Sequence, residues 1–276
     1  MRHARRPWAE VDRQPWDAWL ETWATHAQTG AFRARMDSAL EVLSRARALP
    51  GQLFCAVSGG KDSIAVAALL SEAGWRLPCV HCATELNVPD MESVAASACE
   101  QLGLKLSVAE PELDIWEWLR DRFPSQSILA GDVNVEFRNQ FSSGNLLVAA
   151  MYAAEYAGSV SGMRAEESHG RRMNRIVRGP IYRQLVDETW MVLPVVDWTA
   201  RDVFALAVSR GLPISEHYRR LLEKFLISPE SPASRVDCVL TEEKISARGA
   251  MVHLRVLYPD LWSRLSSLRP ELMKET

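Results

Sequence analysis

From Gln52 onward the chain alternates short apolar runs with helical stretches, and this alternation restricts the fold more than any other feature. Gln52–Val57, Leu77–Cys82, Leu104–Ala109, Gly158–Met163 and Met191–Val196 are apolar and of strand length. Between them lie helical patterns. One runs from Ser63 to Ala73 and ends at Gly74; another runs from Pro89-Asp90 to Leu102 and ends at Gly103. A third passes through Trp116 and Trp118, a fourth covers Ser143–Ala157, and a fifth starts at Thr199, with Asp202 placed to complete its cap, and reaches Arg210. Apolar runs too short to be helices, separated by helices, are the pattern of βαβ units. The expectation is an α/β fold with a doubly wound, mainly parallel sheet and right-handed crossovers.

The flanks differ. Residues 1–50 and 216–276 read as helical extensions of a nucleotide-sized domain at 51–215, with Pro229, Pro232, Pro259 and Pro270 cutting the tail into short pieces. In the first extension Trp16, Trp19 and Trp23 follow one helical face, and Trp8 lies just ahead. Such a face either packs on the main domain or docks a protein partner. A second helix is expected from Phe32 to Ala48, closed by Pro50-Gly51.

At 276 residues the chain is long enough to bury a full core without cross-links. Hydrophobic residues at 47% and charged residues at 24% exclude a mainly disordered chain. The longest apolar run, around Leu146–Ala154, is too short to span a membrane, and the basic start is followed by no apolar h-region. A cytoplasmic protein is expected. A net charge of −3 excludes a globally basic nucleic-acid binder but not a local basic patch. Five cysteines without a secretory signal read as free thiols in a reducing compartment.

Ser58-Gly59-Gly60-Lys61-Asp62-Ser63 joins the first apolar run to its helix. Glycines permit a tight turn and close approach of a ligand. Consecutive backbone N–H groups at a helix N-terminus attract phosphate oxygens, and Lys61 adds a point charge. Asp62 has two candidate uses, a magnesium ligand or a helix cap. The loop is not a Walker A sequence, which needs a glycine where Cys55 stands.

This loop resembles the pyrophosphate loop of the PP-loop ATP pyrophosphatases, the adenine nucleotide alpha hydrolases. Gly162-Met163-Arg164-Ala165-Glu166-Glu167-Ser168, with Arg171 beyond it, resembles the Gly-x-Arg-x-x-x-Ser element of the phosphoadenylyl sulfate reductase branch. Leu193-Pro194-Val195-Val196-Asp197-Trp198-Thr199-Ala200-Arg201-Asp202-Val203 is similar to that branch's Leu-x-x-x-x-Trp-x-x-x-Asp-Val, and His81-Cys82-Ala83-Thr84-Glu85 stands where the branch has His-x-Asp-Thr-Gly. The resemblance runs over residues 50–220. It implies ATP as the nucleotide, with magnesium, cleaved between its alpha and beta phosphates to adenylylate a substrate and release pyrophosphate. It implies Ser58, Gly59, Gly60, Lys61, Asp62, Ser63, Thr84, Gly162, Arg164, Glu167 and Arg171 around the nucleotide. Lys61, Asp62 and Arg164 are the candidate catalytic residues, and Asp62 is the candidate metal ligand.

The sequence also departs from the branch. No Glu-Cys-Gly occurs, and the last cysteine, Cys238, sits in Val236-Asp237-Cys238-Val239, so the reductase nucleophile is missing. Cys79 and Cys82 have CxxC spacing, but on a strand they face opposite ways. With Cys55 and Cys99 they are expected as small buried hydrophobes, with no iron–sulfur cluster. His81 is expected to pack at a strand end. Arg164, Arg171, Arg172, Arg175, Arg178 and Arg183 cluster against only Glu166 and Glu167. They form either a solvated loop or a contact for a polyanion, the triphosphate or a DNA backbone at Arg171, Arg172, Arg175 and Arg178. The expectation is an ATP pyrophosphatase in a sulfur-transfer pathway such as DNA phosphorothioate modification. The alternatives are a sulfur-assimilation enzyme (a sulfate adenylyltransferase subunit or an atypical reductase) and a non-catalytic nucleotide-binding subunit.

Overall fold

Strand β1 (Leu53–Ala56) is the centre of the fold, and its side chains alternate between two cores. Leu53 and Cys55 enter the larger core, and Phe54 packs on the other side of the sheet with Val80. In the computed structural model, residues 15–83, 85, 87–110, 114–121, 156–185, 188–231, 234 and 250–270 are described. The strands β2 (Cys79–Cys82), β3 (Leu106–Ala109), β4 (Gly158–Val160), β5 (Ile181–Arg183) and β6 (Trp190–Val192) complete a six-stranded sheet in the order β3-β2-β1-β4-β6-β5. All pairings are parallel except β5 with β6, where Ile181 pairs with Val192 and Arg183 with Trp190.

The α/β class and the mainly parallel sheet agree with the sequence reading. Two details differ. The last apolar run forms strand only over Trp190–Val192 and turns after Leu193, because Pro194 carries no N–H for a ladder. Strand β5 has no apolar run to announce it; it is an edge strand held by backbone pairing to β6. Of the helix expected over Ser143–Ala157, residues 143–155 lie outside the described residues.

Some of the helices begin where a side chain satisfies a free N–H group. Helix α1 spans Trp16–His26, and α2 (Gly30–Ala46) starts at Thr29, whose side chain accepts from the Phe32 N–H at 3.1 Å. Helix α3 is Lys61–Glu72, α4 Met91–Gln101, α5 Ile115–Asp121 and α6 His169–Arg178. Helix α7 (Ala200–Ser209) opens on a reciprocal cap: the Thr199 N–H donates to Asp202 Oδ2 at 2.7 Å, and the Asp202 N–H donates to Thr199 Oγ1 at 3.3 Å. Helices α8 (Glu216–Phe225), α9 (Ala250–Leu257) and α10 (Pro259–Leu268) follow. No helix among the described residues is long and apolar enough to cross a membrane.

The tryptophan face of α1 turns inward. Trp19 and Trp23 are buried, and Trp23 stacks on Phe204 of α7 with ring centroids 4.1 Å apart. The reading of this face as a partner-docking surface is corrected for these side chains. Their apolar area is already removed from water by the domain itself, so none is left for a partner. Trp8 lies outside the described residues.

Candidate functional site

The sheet order reverses at β1: β2 and β3 lie to one side, and β4 and β6 to the other. Open α/β sheets bind ligands at the carboxyl ends of the strands flanking such a reversal. The Ser58–Ser63 loop leaves β1 there, and Gly162–Arg164 leaves β4.

Two glycines make the meeting of these segments possible. Gly59 adopts φ +80°, and a Cβ on it would lie 2.1 Å from the Met91 carbonyl oxygen. A Cβ on Gly162 would lie 2.7 Å from the backbone of Asp62. Within the loop, the Ser58 N–H donates to Ser63 Oγ at 3.1 Å, the Gly60 N–H to Ser58 Oγ at 3.3 Å, and Ser63 Oγ to the Gly60 carbonyl at 2.9 Å. These bonds shape the loop from within.

Lys61, Asp62 and Arg164 form one charge cluster. Lys61 Nζ donates to Asp62 Oδ2 at 2.9 Å, and Arg164 Nε donates to Asp62 Oδ1. Lys61 and Arg164 are both buried. Burial alone would push the Asp62 carboxyl up, but Lys61 and Arg164 together hold it below the ordinary carboxylate range. Burial likewise opposes the Lys61 ammonium, yet the adjacent Asp62 charge keeps it raised. All three groups are therefore charged at neutral pH.

This geometry gives Asp62 two cation partners. One of its oxygens accepts from Lys61 and the other from Arg164, and no group of three His, Cys, Asp or Glu among the described residues is arranged to hold a metal ion by protein ligands alone. Nor does Asp62 cap α3: it lies in the helix's first turn, where its negative charge opposes the positive end of the macrodipole.

Around Arg164 the acids are used in turn. Its Nη1 donates to Glu166 Oε1, which also accepts the Ala200 N–H at 2.8 Å and so ties the site to the start of α7. Glu167 Oε2 accepts the Arg164 N–H at 2.9 Å and a bond from Arg171. Thr84 lies outside the described residues. His81 is buried with Nδ1 2.9 Å from the Val57 carbonyl, the packing role expected of it. Beside it a cleft of about 210 Å³ opens past the end of β2, lined in part by Ala83, Glu85, Glu92 and Leu261.

One site residue was missed in the sequence. Tyr218, in the first turn of α8, accepts the Lys61 N–H on its hydroxyl at 3.1 Å, and its ring lies 5.5 Å below Lys61 Nζ. The only local sign is Ser215, which starts that helix; nothing in the spacing connects it to a loop so far upstream.

The arginine cluster is less positive in space than in sequence. Arg171 pairs with Glu167, Arg175 with Asp197 and Arg183 with Glu188, while the Arg178 guanidinium lies 5.3 Å over the Tyr182 ring. Asp197 and Glu188 come from later in the chain, so a count of neighbours in sequence does not find them. Cys55, Cys79, Cys82 and Cys99 are all buried. Burial pushes the Cys82 thiol up to about 12. Hydrogen bonding to Cys55 raises Cys79, and hydrogen bonding to Cys79 raises Cys99. Cys238 lies outside the described residues.

A family model described as the phosphoadenosine phosphosulfate reductase domain matches residues 52–224. Among solved structures, phosphoadenylyl-sulfate reductase from Candida auris in a phosphate complex superposes with a TM-score of 0.53 at 13% identity, over 74% of this chain and 90% of that one. The NMN synthetase of Francisella tularensis gives 0.48 at 16% identity, over 88% of this chain and 95% of that one. The U34-tRNA thiolase of Methanococcus maripaludis, with its [4Fe-4S] cluster, gives 0.46 at 13% identity, over 88% and 80%. At these identities the likeness is one of fold. No curated protein matches the chain.

Proposed function

The chain belongs to the phosphoadenosine phosphosulfate reductase domain family, and within it we propose an ATP pyrophosphatase that adenylylates an acceptor. An acceptor oxygen attacks the alpha phosphorus, the bond from that phosphorus to the bridging oxygen breaks, and pyrophosphate leaves. The adenylylated acceptor remains, or AMP where the acceptor is water.

The observation that carries this reading is the placement of Lys61 and Arg164 on opposite sides of Asp62, at the mouth of a loop whose backbone is already shaped for phosphate. Asp62 holds both cations in place. With nucleotide, their donors turn to phosphate oxygens: Lys61 to the leaving pyrophosphate, Arg164 to the charge developing at the alpha phosphorus. Ser58, Gly59, Gly60 and Ser63 cradle the phosphates, Gly162 lets the two segments close on them, and Glu167 and Arg171 orient Arg164. Thr84 belongs to the same proposal by its motif. Magnesium, on this reading, travels with the nucleotide's own oxygens.

The acceptor chemistry we favour is sulfur transfer without thiol reduction. A reductase needs a thiolate, and burial or neighbouring thiols hold Cys79, Cys82 and Cys99 protonated. DNA phosphorothioate modification is one such setting, although Glu167 and Asp197 already take Arg171 and Arg175 of the cluster expected to meet a backbone. The division into 1–50, 51–215 and 216–276 stays part of the proposal, with the amendment that Tyr218 belongs to the site.

The test is pyrophosphate release from ATP by the purified chain and by Lys61→Ala. Loss of release in the variant is expected. A chain that binds ATP while Lys61→Ala changes neither binding nor turnover overturns the reading. Pyrophosphate exchange that requires sulfate would instead place the chain in sulfur assimilation.

A further inference from the structure

Helix α6 (His169–Arg178) carries its amphipathicity the wrong way round for a surface helix. Its polar side chains point at the protein. Arg171 pairs with Glu167, Asn174 Nδ2 donates to Tyr182 OH at 2.9 Å, and Arg175 grips Asp197 with bonds of 2.7–3.0 Å. Its apolar side chains point away: Met173 is 43% exposed, Ile176 68% and Val177 75%. No residue of the helix is buried. An ordinary surface helix turns its apolar stripe to the core and its charges to water. This one is held by salt bridges on its inner face and presents three apolar side chains outward.

We propose that the outer face of α6 is a docking surface for another protein, which receives it in an apolar groove with an acidic rim. The anchors Met173, Ile176 and Val177 stand at i, i+3 and i+4, the spacing by which a helix enters a groove. The rim follows from charge. Glu167 and Asp197 take Arg171 and Arg175, while among the described residues neither Arg172 nor Arg178 pairs with a carboxylate, so positive charge remains at the edge of the apolar face. A complementary surface is therefore apolar at its centre and acidic at its edge.

Other occupants fit less well. Two copies packed face to face would set Arg172 near its own counterpart, like charge against like charge. Anionic lipid or DNA needs free arginines, but Arg171 and Arg175 are committed to Glu167 and Asp197. The position also has a consequence for the site. Glu167, which takes Arg171, accepts the Arg164 N–H as well, so a partner on α6 rests against the segment that carries Arg164.

The experiment places a photo-crosslinking amino acid at Val177 in the full chain, within its own cells, and identifies the product by mass. The captured protein is then purified and titrated against wild type, Ile176→Asp and Arg172→Glu. The proposal expects a Kd raised at least tenfold by Ile176→Asp and severalfold by Arg172→Glu, with a shallower salt dependence in the second. These side chains are exposed and apart from the loop, so thermal stability and any pyrophosphate release should match wild type in both variants. Crosslinks to a second copy, nucleic acid or lipid, the absence of a specific crosslink, or a Kd indifferent to Ile176→Asp each overturn it. None of these outcomes bears on whether the chain cleaves ATP, which the Lys61 variant reads separately.

Discussion

The Tyr218 hydroxyl accepts the backbone N–H of Lys61 at 3.1 Å, across 157 positions of sequence. The bond joins the helical C-terminal region to the first turn of α3, where the candidate site is built. Tyr218 is buried, and its ring meets Phe204 edge-on at 5.2 Å, so the hydroxyl is held from behind by the same packing that receives Trp23.

Tyr218→Phe tests this link with little change of shape. It leaves a buried N–H without an acceptor, which costs about 1–3 kcal/mol. Denaturant unfolding should show that loss, and ATP binding should weaken with it because Lys61 is less firmly placed. Unchanged stability and unchanged nucleotide affinity would remove the residue from the site.

Gly162→Ala addresses the meeting of the β1 loop and the end of β4. The new methyl would sit 2.7 Å from the Asp62 backbone, so one segment must move. Overpacking of this kind costs roughly 1–3 kcal/mol, and here the displacement separates Arg164 from Lys61. Pyrophosphate release should fall by more than the stability loss accounts for. A variant with a lowered melting temperature and full turnover would contradict the geometry.

Asp62→Asn separates charge storage from metal binding. Removing the carboxylate leaves Lys61 without its ion pair and Arg164 with Glu166 alone, a loss of about 3 kcal/mol for a buried pair. The site also becomes more attractive to anions. Inorganic pyrophosphate, added with a chelator and no divalent ion, should therefore raise the melting temperature more in the variant than in wild type. Equal shifts would overturn the charge-storage role of Asp62.

Stability should fall on the acid side for two reasons. Burial, with His253 and Arg220 nearby, lowers His217 from 6.5 to about 4. The unfolded chain then binds a proton that the folded chain refuses, so stability is lost as pH falls from about 6.5 towards 4, by up to roughly 3 kcal/mol. Asp62 and Asp202 are depressed in the fold, so their contribution is present above about pH 4 and is lost below it. Burial lowers His253 as well, so His217→Gln should make the profile between pH 6.5 and 4 shallower, with the remainder due to His253, and leave the lower limb intact. An unchanged slope in that window, measured by denaturant titration, would exclude His217 as its source.

Much of this architecture is legible in the sequence because it is local. Apolar runs of strand length become strands when both sheet faces are buried, as Phe54 and Cys55 show by facing opposite cores. Thr199 and Asp202 announce the start of α7 because a cap is a contact within one turn. Strand β5 stayed hidden because an edge strand needs only a backbone partner and no apolar pattern. The outward apolar face of α6 stayed hidden for a related reason. Its periodicity is that of any amphipathic helix, and which side faces the protein depends on Glu167, Asp197 and Tyr182.

By itself the sequence determined the sheet, the phosphate-shaped loop and the residues that can carry charge there, since turn chemistry, strand burial and helix starts are set by near neighbours. Only the tertiary structure decided what those charges do. It closed Asp62 onto Lys61 and Arg164, brought Tyr218 under the loop, and gave Arg175 of α6 the carboxylate of Asp197 from across the fold. Electrostatic and hydrogen-bond partners are chosen by distance in space, and at the reversal of the sheet that distance is short for residues that are remote in sequence.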